Sequence, residues 1–407
     1  MTGTTIAQAI PIAISPILTR IYSPADFGIF ALYMSIAGLF SAVATGRYEL
    51  AIMHPKKDED AINLVVLSVT IAFFISLVVL LIIFLFNQQI TELLGNTEIS
   101  KWLYVIPLTV LLTGVYQSFN YWSNRKKQYK RLATSRVIQS VTVGSTNLGM
   151  GFNGFGTSGL VVGSVVGQSI ATLVLMKMVW KEDNKLLDYV NKLKIFALIK
   201  KHKKLPLLNL PNALIDSFRL SGISMLIAKF FSTTTLGQFS LAWKIIQTPT
   251  SLIGGSLSQV FFQKVANANK VDLNTIVNKF IVKAALIAAP IFLIIYIFSV
   301  DIFIFIFGAN WELAGEAASV MAPWLFLNFV SSPLSLLFIV LNKQEILLIF
   351  SILFMAIPLA IIIIFQSSSF IEVLLMVTFS VSIMIIIFIL MVIYYTKHEK
   401  GLLTFTS

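Results

Sequence analysis

Long apolar stretches dominate the sequence, and their length restricts the folds that the chain can adopt. A helix needs about 20 mostly apolar residues to cross a bilayer. Runs such as 77–86 and 357–365 are continuously apolar, whereas the strands of membrane β-barrels alternate polar and apolar residues. We count about twelve helical stretches, at roughly 2–19, 29–50, 62–86, 102–122, 135–153, 159–179, 206–228, 236–262, 277–298, 316–341, 346–365 and 370–396. The sequence therefore predicts an all-α, polytopic membrane protein of about twelve transmembrane helices.

The composition agrees with a membrane protein and excludes several kinds of site. Charged residues make up 12% of the chain, against about 25% in soluble domains, and the mean hydropathy is +0.88. The absence of cysteine excludes disulfides and thiolate metal sites. The three histidines, His54, His202 and His398, lie in charged connecting segments, so we expect no metal site. Because no nucleotide-binding or nucleophile motif is present, we expect no cofactor and no enzymatic activity.

The net charge of +12 is concentrated in alternate connections between the predicted helices. Six Lys and Arg residues lie in 123–136, and nine lysines lie in 177–204. Cytoplasmic loops of membrane proteins carry such an excess, so both termini are predicted to be cytoplasmic. Because this loop rule explains the net positive charge, we expect no nucleic-acid partner. The opposite connections are short and leave no room for a catalytic domain outside the membrane.

The basic connector 180–205 divides the chain into two predicted lobes of six helices around a central cavity. The lobes cover 1–179 and 206–396, and 397–407 forms a cytoplasmic tail. At an offset of 209 residues, the first two helices of each lobe align. The identical pairs are Ser15/Ser224, Ser23/Ser232, Gly28/Gly237, Phe30/Phe239, Leu32/Leu241, Ile36/Ile245 and Gly46/Gly255. Parallel repeats of this kind occur in transporters, and chance similarity between apolar segments is the alternative.

The N-terminal stretch Met1–Thr19 lacks the basic segment that begins a secretory signal peptide. We interpret it as a first transmembrane helix that starts abruptly. On this interpretation, a few preceding residues are expected to be missing from the sequence.

Polar side chains recur at helical spacing inside several predicted spans. In the seventh span, Asn209, Asn212, Asp216 and Arg219 share one face. Further amides lie in other spans, at Gln8, Asn120, Gln247 and Asn328. Polar groups in a span usually face a cavity or a partner helix. Hydrogen bonding between packed helices explains any single neutral residue, but the recurrence of these faces predicts a water-filled cavity.

Cations are the most informative of these polar residues. Five lie in or near the predicted spans, at Arg20, Arg47, Arg219, Lys229 and Lys244. Arg20 and Lys229 are equivalent in the repeat. Several cations around a cavity suit an anionic substrate such as a diphosphate. Snorkelling to headgroups is the alternative for most of them, and pairing with Asp216 is the alternative for Arg219. On a continuous second helix, Arg47 and Glu49 would lie about 200° apart and could not face the same cavity.

The opening region resembles a known family. The segment Leu18-Thr19-Arg20-Ile21-Tyr22-Ser23-Pro24-Ala25-Asp26-Phe27-Gly28, followed by Gly46-Arg47-Tyr48-Glu49-Leu50, is similar to the Wzx-like polysaccharide flippases. These form the polysaccharide transporter branch of the multidrug/oligosaccharidyl-lipid/polysaccharide exporter superfamily. The similarity is closest over about residues 4–60. Elsewhere it rests on helix number, the two lobes and the basic loops.

This resemblance implies a function in surface polysaccharide biosynthesis, such as that of O-antigen and lipopolysaccharide. The expected activity is transfer of an undecaprenyl-diphosphate-linked oligosaccharide across the bacterial plasma membrane by alternating access. The cavity cations would neutralise the diphosphate while the amides bind sugars and the lipid tail stays in the bilayer. Asp216 and Glu49 could couple transport to H⁺ or Na⁺. Expected partners are membrane lipid, the lipid-linked substrate, and the polymerase and chain-length machinery.

Other functions stay open at this point. A drug/cation antiporter of the same superfamily would have a cavity dominated by acidic residues. A flippase for the peptidoglycan lipid precursor often has more helices than this chain. A polysaccharide polymerase or ligase would need a large outer loop with catalytic Arg or His residues. A structural scaffold would have no use for cations inside the membrane.

Overall fold

The computed structural model describes residues 2–266, 272–340 and 343–398, and these ranges contain helices and turns but no strands. Short 3-10 turns lie at Tyr48–Met53, Thr97–Ile99, Asn184–Tyr189, Ala309–Trp311 and Ser332–Leu334. The helices are α1 (Thr2–Ile21), α2 (Pro24–Ser41), α3 (Asp58–Leu94), α4 (Ser100–Leu103), α5 (Ile106–Arg125), α6 (Tyr129–Phe152), α7 (Thr157–Asp183), α8 (Lys192–Lys201), α9 (Lys204–Phe230), α10 (Thr233–Ala266), α11 (Leu273–Phe307), α12 (Glu312–Ser331), α13 (Ser335–Val340), α14 (Gln344–Ile364) and α15 (Phe370–His398).

The helices confirm an all-α, multi-pass membrane protein. Apart from the end of the second stretch, each predicted stretch lies on a helix, or on one of the pairs α4 and α5 or α12 and α13. Among the described residues, seven helices are long and apolar enough to cross a membrane, or eight if the bent pair Thr97–Leu103 and Ile106–Arg125 forms one span. Helices α6, α9 and α10 are outside this set. Of these, α9 carries the predicted polar face of Asn209, Asp216 and Arg219, and α10 carries Lys244 and Gln247.

The chain packs as two units, residues 1–237 and 238–407. In the first, α6 packs against α1 and α7, α3 packs against α5, and α2 packs against α9. In the second, α12 packs against α11 and α15, and α14 packs against α15. The boundary between these units, after residue 237, lies C-terminal to α9. The predicted boundary at 180–205 lies at the N-terminal end of α9. The two-lobe division stays a prediction, and residues 399–407 of the predicted tail lie outside the described part of the chain.

The second predicted span, 29–50, is wrong in its last third. Helix α2 ends at Ser41, and irregular turns lead to the 3-10 turn Tyr48–Met53. Gly46 and Arg47 both adopt left-handed backbone angles, with φ of 58° and 64°. A right-handed helix cannot continue through such residues. Contrary to the prediction, Arg47 and Glu49 are therefore not held on opposite faces, because no continuous helix passes through them.

The connector 180–205 contains regular structure rather than an open loop. Helix α7 continues to Asp183, and α8 follows a 3-10 turn. Helix α8 is amphipathic: Leu198 is buried in a core with residues of α3, whereas Leu193 and Phe196 are exposed. Four lysines of this segment lie on α8 itself, at Lys192, Lys194, Lys200 and Lys201.

Candidate functional site

The internal repeat predicted from sequence recurs in the structure at the same offset. Helices α1 and α9 end at Ile21 and Phe230, 209 residues apart, and α2 and α10 begin at Pro24 and Thr233, again 209 apart. The preceding serines also match. The hydroxyl oxygen of Ser23 accepts from the amide of Asp26 at 3.2 Å, and that of Ser232 accepts from Thr235 at 2.9 Å. Both hydroxyls satisfy an amide that a helix start leaves unpaired.

The two equivalent glycines of this repeat meet each other. A Cβ atom on Gly28 would collide with the carbonyl oxygen of Thr233, and one on Gly237 would collide with that of Pro24. Because Pro24 and Thr233 are themselves equivalent, the contact is reciprocal. It has the geometry of a local two-fold axis, and only glycine permits the backbones to approach this closely.

The remaining residues of the family-like segment have structural partners. The Tyr22 hydroxyl donates to the carbonyl of Asn147 at 2.6 Å, and its ring lies against Gly151 and Gly159. Asp26 caps α2 and accepts a 2.7 Å hydrogen bond from the hydroxyl of Thr157. These contacts tie α1 and α2 to α6 and α7, so most of the segment serves packing.

Arg20 differs from its neighbours in this segment. It lies in the last turn of α1 with an exposed side chain and forms no ion pair with a described residue. Its equivalent, Lys229, is also exposed, in the last turn of α9, and its Nζ lies 5.6 Å from the centre of the Phe230 ring. The repeat thus places two cations at corresponding helix ends with their charges available.

Arg47 and Glu49 come together on the turn that replaces the end of the second predicted span. An Arg47 guanidinium nitrogen lies 3.4 Å from a carboxylate oxygen of Glu49, whose side chain is 1% exposed. The Thr45 hydroxyl also donates to Glu49, and Tyr121 is close enough to interact with both charges. Burial of Glu49 is thus compensated by a cation and a hydroxyl.

Helix α9 presents the predicted polar face, with a loose ion pair. Arg219 and Asp216 are 3.9 Å apart and their side chains are 37% and 66% exposed. Asn212 is exposed, and Asn209 donates to the carbonyl of Leu205 at 3.1 Å. A pair this open to solvent contributes little to stability. Arg219 is therefore available to a ligand.

The other predicted polar residues are distributed over both units. Gln8 is exposed on α1, and Asn120 on α5 accepts from the side chain of Asn124 at 2.9 Å. In the second unit, Lys244 is exposed on α10, and the structure brings Gln247 together with Asn328 of α12 in one cavity. Their functional roles stay predictions.

A buried charge cluster at the ends of α6 and α7 was missed by the sequence analysis. Arg131, 5% exposed, pairs with Asp183 at 2.9 Å and also with Glu182. The indole nitrogen of Trp122 donates to the same Asp183 at 3.0 Å. Arg125 similarly contacts Asp58 at 2.9 Å. The sequence feature that could have predicted these ion pairs is the presence of acidic residues, such as Glu182, Asp183 and Asp58, in otherwise basic connectors.

His202 should make the stability of the protein depend on pH. The rings of His54 and His202 lie 5.8 Å apart, and burial, His54 and Lys201 lower the pKa of His202. Below about pH 6.5 the unfolded chain then binds a proton that the folded chain does not. We expect the melting temperature to be constant above that pH and to fall below it. His202→Gln should remove part of this fall, and an unchanged pH profile would contradict the assignment.

No group of three or more His, Asp or Glu side chains among the described residues is placed to hold a metal ion. The sites described above consist of amides, hydroxyls and cations, several of them beside a carboxylate. Amides, hydroxyls and cations bind anionic and hydroxyl-rich ligands.

Comparison with known proteins identifies both a family and a fold. The sequence profile of the family described as polysaccharide biosynthesis protein matches residues 17–315. No curated protein sequence matches the chain significantly.

Solved structures share the fold over nearly the whole chain. The lipid II flippase MurJ in an inward closed conformation has a TM-score of 0.77 at 15% identity, with 97% of this chain and 87% of that chain covered. An inward-facing multidrug resistance MATE family transporter of the MOP superfamily has a TM-score of 0.66 at 13% identity, covering 98% and 96%. A MOP superfamily transporter from Pyrococcus furiosus gives 0.56 at 15% identity, covering 98% and 93%. These proteins are transporters and flippases, in agreement with the prediction that the chain is not an enzyme.

Proposed function

The chain belongs to the polysaccharide biosynthesis protein family, and from this premise we propose that it is a flippase for an undecaprenyl-diphosphate-linked oligosaccharide. It moves this lipid across the bacterial plasma membrane by alternating access, and the product enters surface polysaccharide biosynthesis. The fold is shared with a protein described as a lipid II flippase, which supports a lipid-linked substrate. Repeats of the kind seen at α1–α2 and α9–α10 are common in alternating-access transporters.

The observation that carries this proposal is the pair of equivalent cations, Arg20 and Lys229. Both are exposed, and neither forms an ion pair with a described residue. Cations have a cost in a membrane protein and are usually retained for a ligand. Together with Arg219 and Lys244, they supply positive charge on several helices. A diphosphate carries the complementary charge and accepts hydrogen bonds from such groups.

Two carboxylates belong to the same proposal as coupling groups. Asp216 is exposed beside Arg219, and Glu49 is buried beside Arg47. Uptake of H⁺ or Na⁺ at either carboxylate would change the charge next to a substrate-binding cation. Both termini face the cytoplasm in this proposal, since the lysine-rich connectors then lie inside. Polymerase and chain-length proteins are the expected downstream partners.

The test is a gene deletion complemented with variants. We expect the deletion to remove surface polysaccharide and to trap diphosphate-linked repeat units on the cytoplasmic leaflet. Arg20→Ala and Lys229→Ala should each lower the transfer rate by about ten- to a hundredfold, because a charge-assisted contact contributes about 1.5–3 kcal/mol. The same loss is expected for Arg219→Ala and Lys244→Ala. Polysaccharide and lipid-linked intermediates are measured together.

Lys101→Ala is the matched control. Like Lys229, Lys101 is an exposed lysine whose Nζ lies near a neighbouring aromatic ring, at 5.2 Å from Trp102. It should complement fully. Normal polysaccharide without a trapped intermediate in the deletion strain would contradict the flippase, and drug export would then be assayed. Full complementation by the four cation variants would contradict the cation assignment alone.

A further inference from the structure

A cavity of about 290 Å³ lies in the second unit between α10 and the end of α12. Its polar groups come from both helices: Gln247, Thr250 and Ser258 on one side, and Asn328 and Ser332 on the other. Its volume equals that of about ten water molecules, which suits one sugar ring better than a whole oligosaccharide. A cavity of this size has room for one group of a larger ligand.

Two features of the sequence keep this space open. Gly254 and Gly255 lie on the cavity side of α10, and a Cβ atom on Gly255 would meet nothing within 4 Å. On the other side, α12 stops at Ser331 and a 3-10 turn follows. Pro333 in this turn has no amide hydrogen to donate to the carbonyl of Phe329. Irregular backbone within a membrane segment is tolerated where it lines a cavity.

The described residues that line the cavity are polar or apolar, and none of them is charged. Gln247 and Asn328 are exposed, and their side-chain amides form no hydrogen bond with another described residue. Each amide can both donate and accept, as the hydroxyls of a sugar require. Phe329 and Leu325 supply an apolar wall against which the C–H face of a sugar ring can pack. A cationic drug would need a carboxylate here, and an anion would need a cation.

Resting on the flippase proposal, we propose that this cavity binds a neutral sugar unit of the lipid-linked substrate. Lys244 precedes Gln247 by three residues, so the two side chains lie on one face of α10 about one turn apart. The diphosphate and the first sugars are covalent neighbours in such a lipid. Along α10, the cation Lys244 is followed by the uncharged cavity, just as the diphosphate of the lipid is followed by its sugars.

The experiment compares two lipids on the full-length protein in nanodiscs. One is undecaprenyl diphosphate carrying a neutral disaccharide, and the other is undecaprenyl diphosphate without sugar. We expect wild type to bind the glycosylated lipid more tightly. Gln247→Leu and Asn328→Leu should each weaken binding of that lipid about tenfold, as expected for loss of one hydrogen bond to the ligand, and leave the sugar-free lipid unchanged.

Two further variants make the result specific. Gly255→Leu adds a side chain on the cavity side of α10, where the first added carbon meets nothing within 4 Å, and it should abolish the advantage of the glycosylated lipid. Asn278→Leu removes an exposed amide on α11 outside the cavity and should change neither affinity. Equal binding of both lipids by wild type, or equal losses for both lipids in the cavity variants, would overturn the sugar site while leaving the flippase. Binding of neither lipid by wild type would overturn both proposals.

Discussion

Replacing Gly28 by alanine is expected to destabilise the first unit severely and to abolish transport. The added Cβ atom would collide with the carbonyl oxygen of Thr233 and lie 3.1 Å from the amide nitrogen of Gly237. Both are backbone atoms, so no rotamer change relieves the collision and α2 must separate from α10. Overpacking typically costs about 1–3 kcal/mol, and we expect the upper end of this range. Gly237→Ala should have the same effect, because the contact is reciprocal.

Gly38 provides the control on the same helix. A Cβ atom there meets nothing within 4 Å, and alanine is favoured over glycine in a helix by about 1 kcal/mol. Gly38→Ala should therefore keep or slightly raise the melting temperature, which is measured for all three variants in detergent. Equal melting temperatures for Gly28→Ala and Gly38→Ala would show that the close crossing is not required.

The positions of the membrane helices could be predicted because hydropathy is a local property of the sequence. The repeat could also be predicted, since Ser23, Gly28 and their equivalents perform the same tasks at two helix starts. The end of α2 could not. It depends on Gly46 and Arg47 entering the left-handed region, and the sequence shows the glycine but not the conformation of the arginine.

Sequence reasoning was least effective for charges with distant partners. Arg131 was counted among the basic residues that set topology, yet its partners Glu182 and Asp183 lie 51 and 52 residues further along the chain. The predicted directions of the Arg47 and Glu49 side chains rested on helical geometry, which does not apply because both residues lie on a turn. Gln247 and Asn328 were recognised as polar, but only tertiary structure places them in one cavity. A residue pattern along one helix does not show which side chains on other helices will contact it.

Arg131→Met is expected to cost about 3–5 kcal/mol in the stability of the first unit, the usual effect of removing one member of a buried ion pair. Asp183 is only 8% exposed and would keep its charge with the indole of Trp122 as its remaining partner. Glu182 is half exposed, so water can replace the guanidinium there. The cost therefore arises mainly at Asp183, and chemical denaturation of the purified protein measures it.

The double variant Arg131→Met/Asp183→Asn tests this origin. Removing both charges leaves no uncompensated buried ion, so most of the lost stability should return. Lys130→Met is the control, since Lys130 is an exposed cation of the same helix turn and its loss should change stability by less than about 0.5 kcal/mol. If the double variant were less stable than Arg131→Met, the guanidinium would matter through packing against its neighbours, and the pairing with Asp183 would not be the source of the effect.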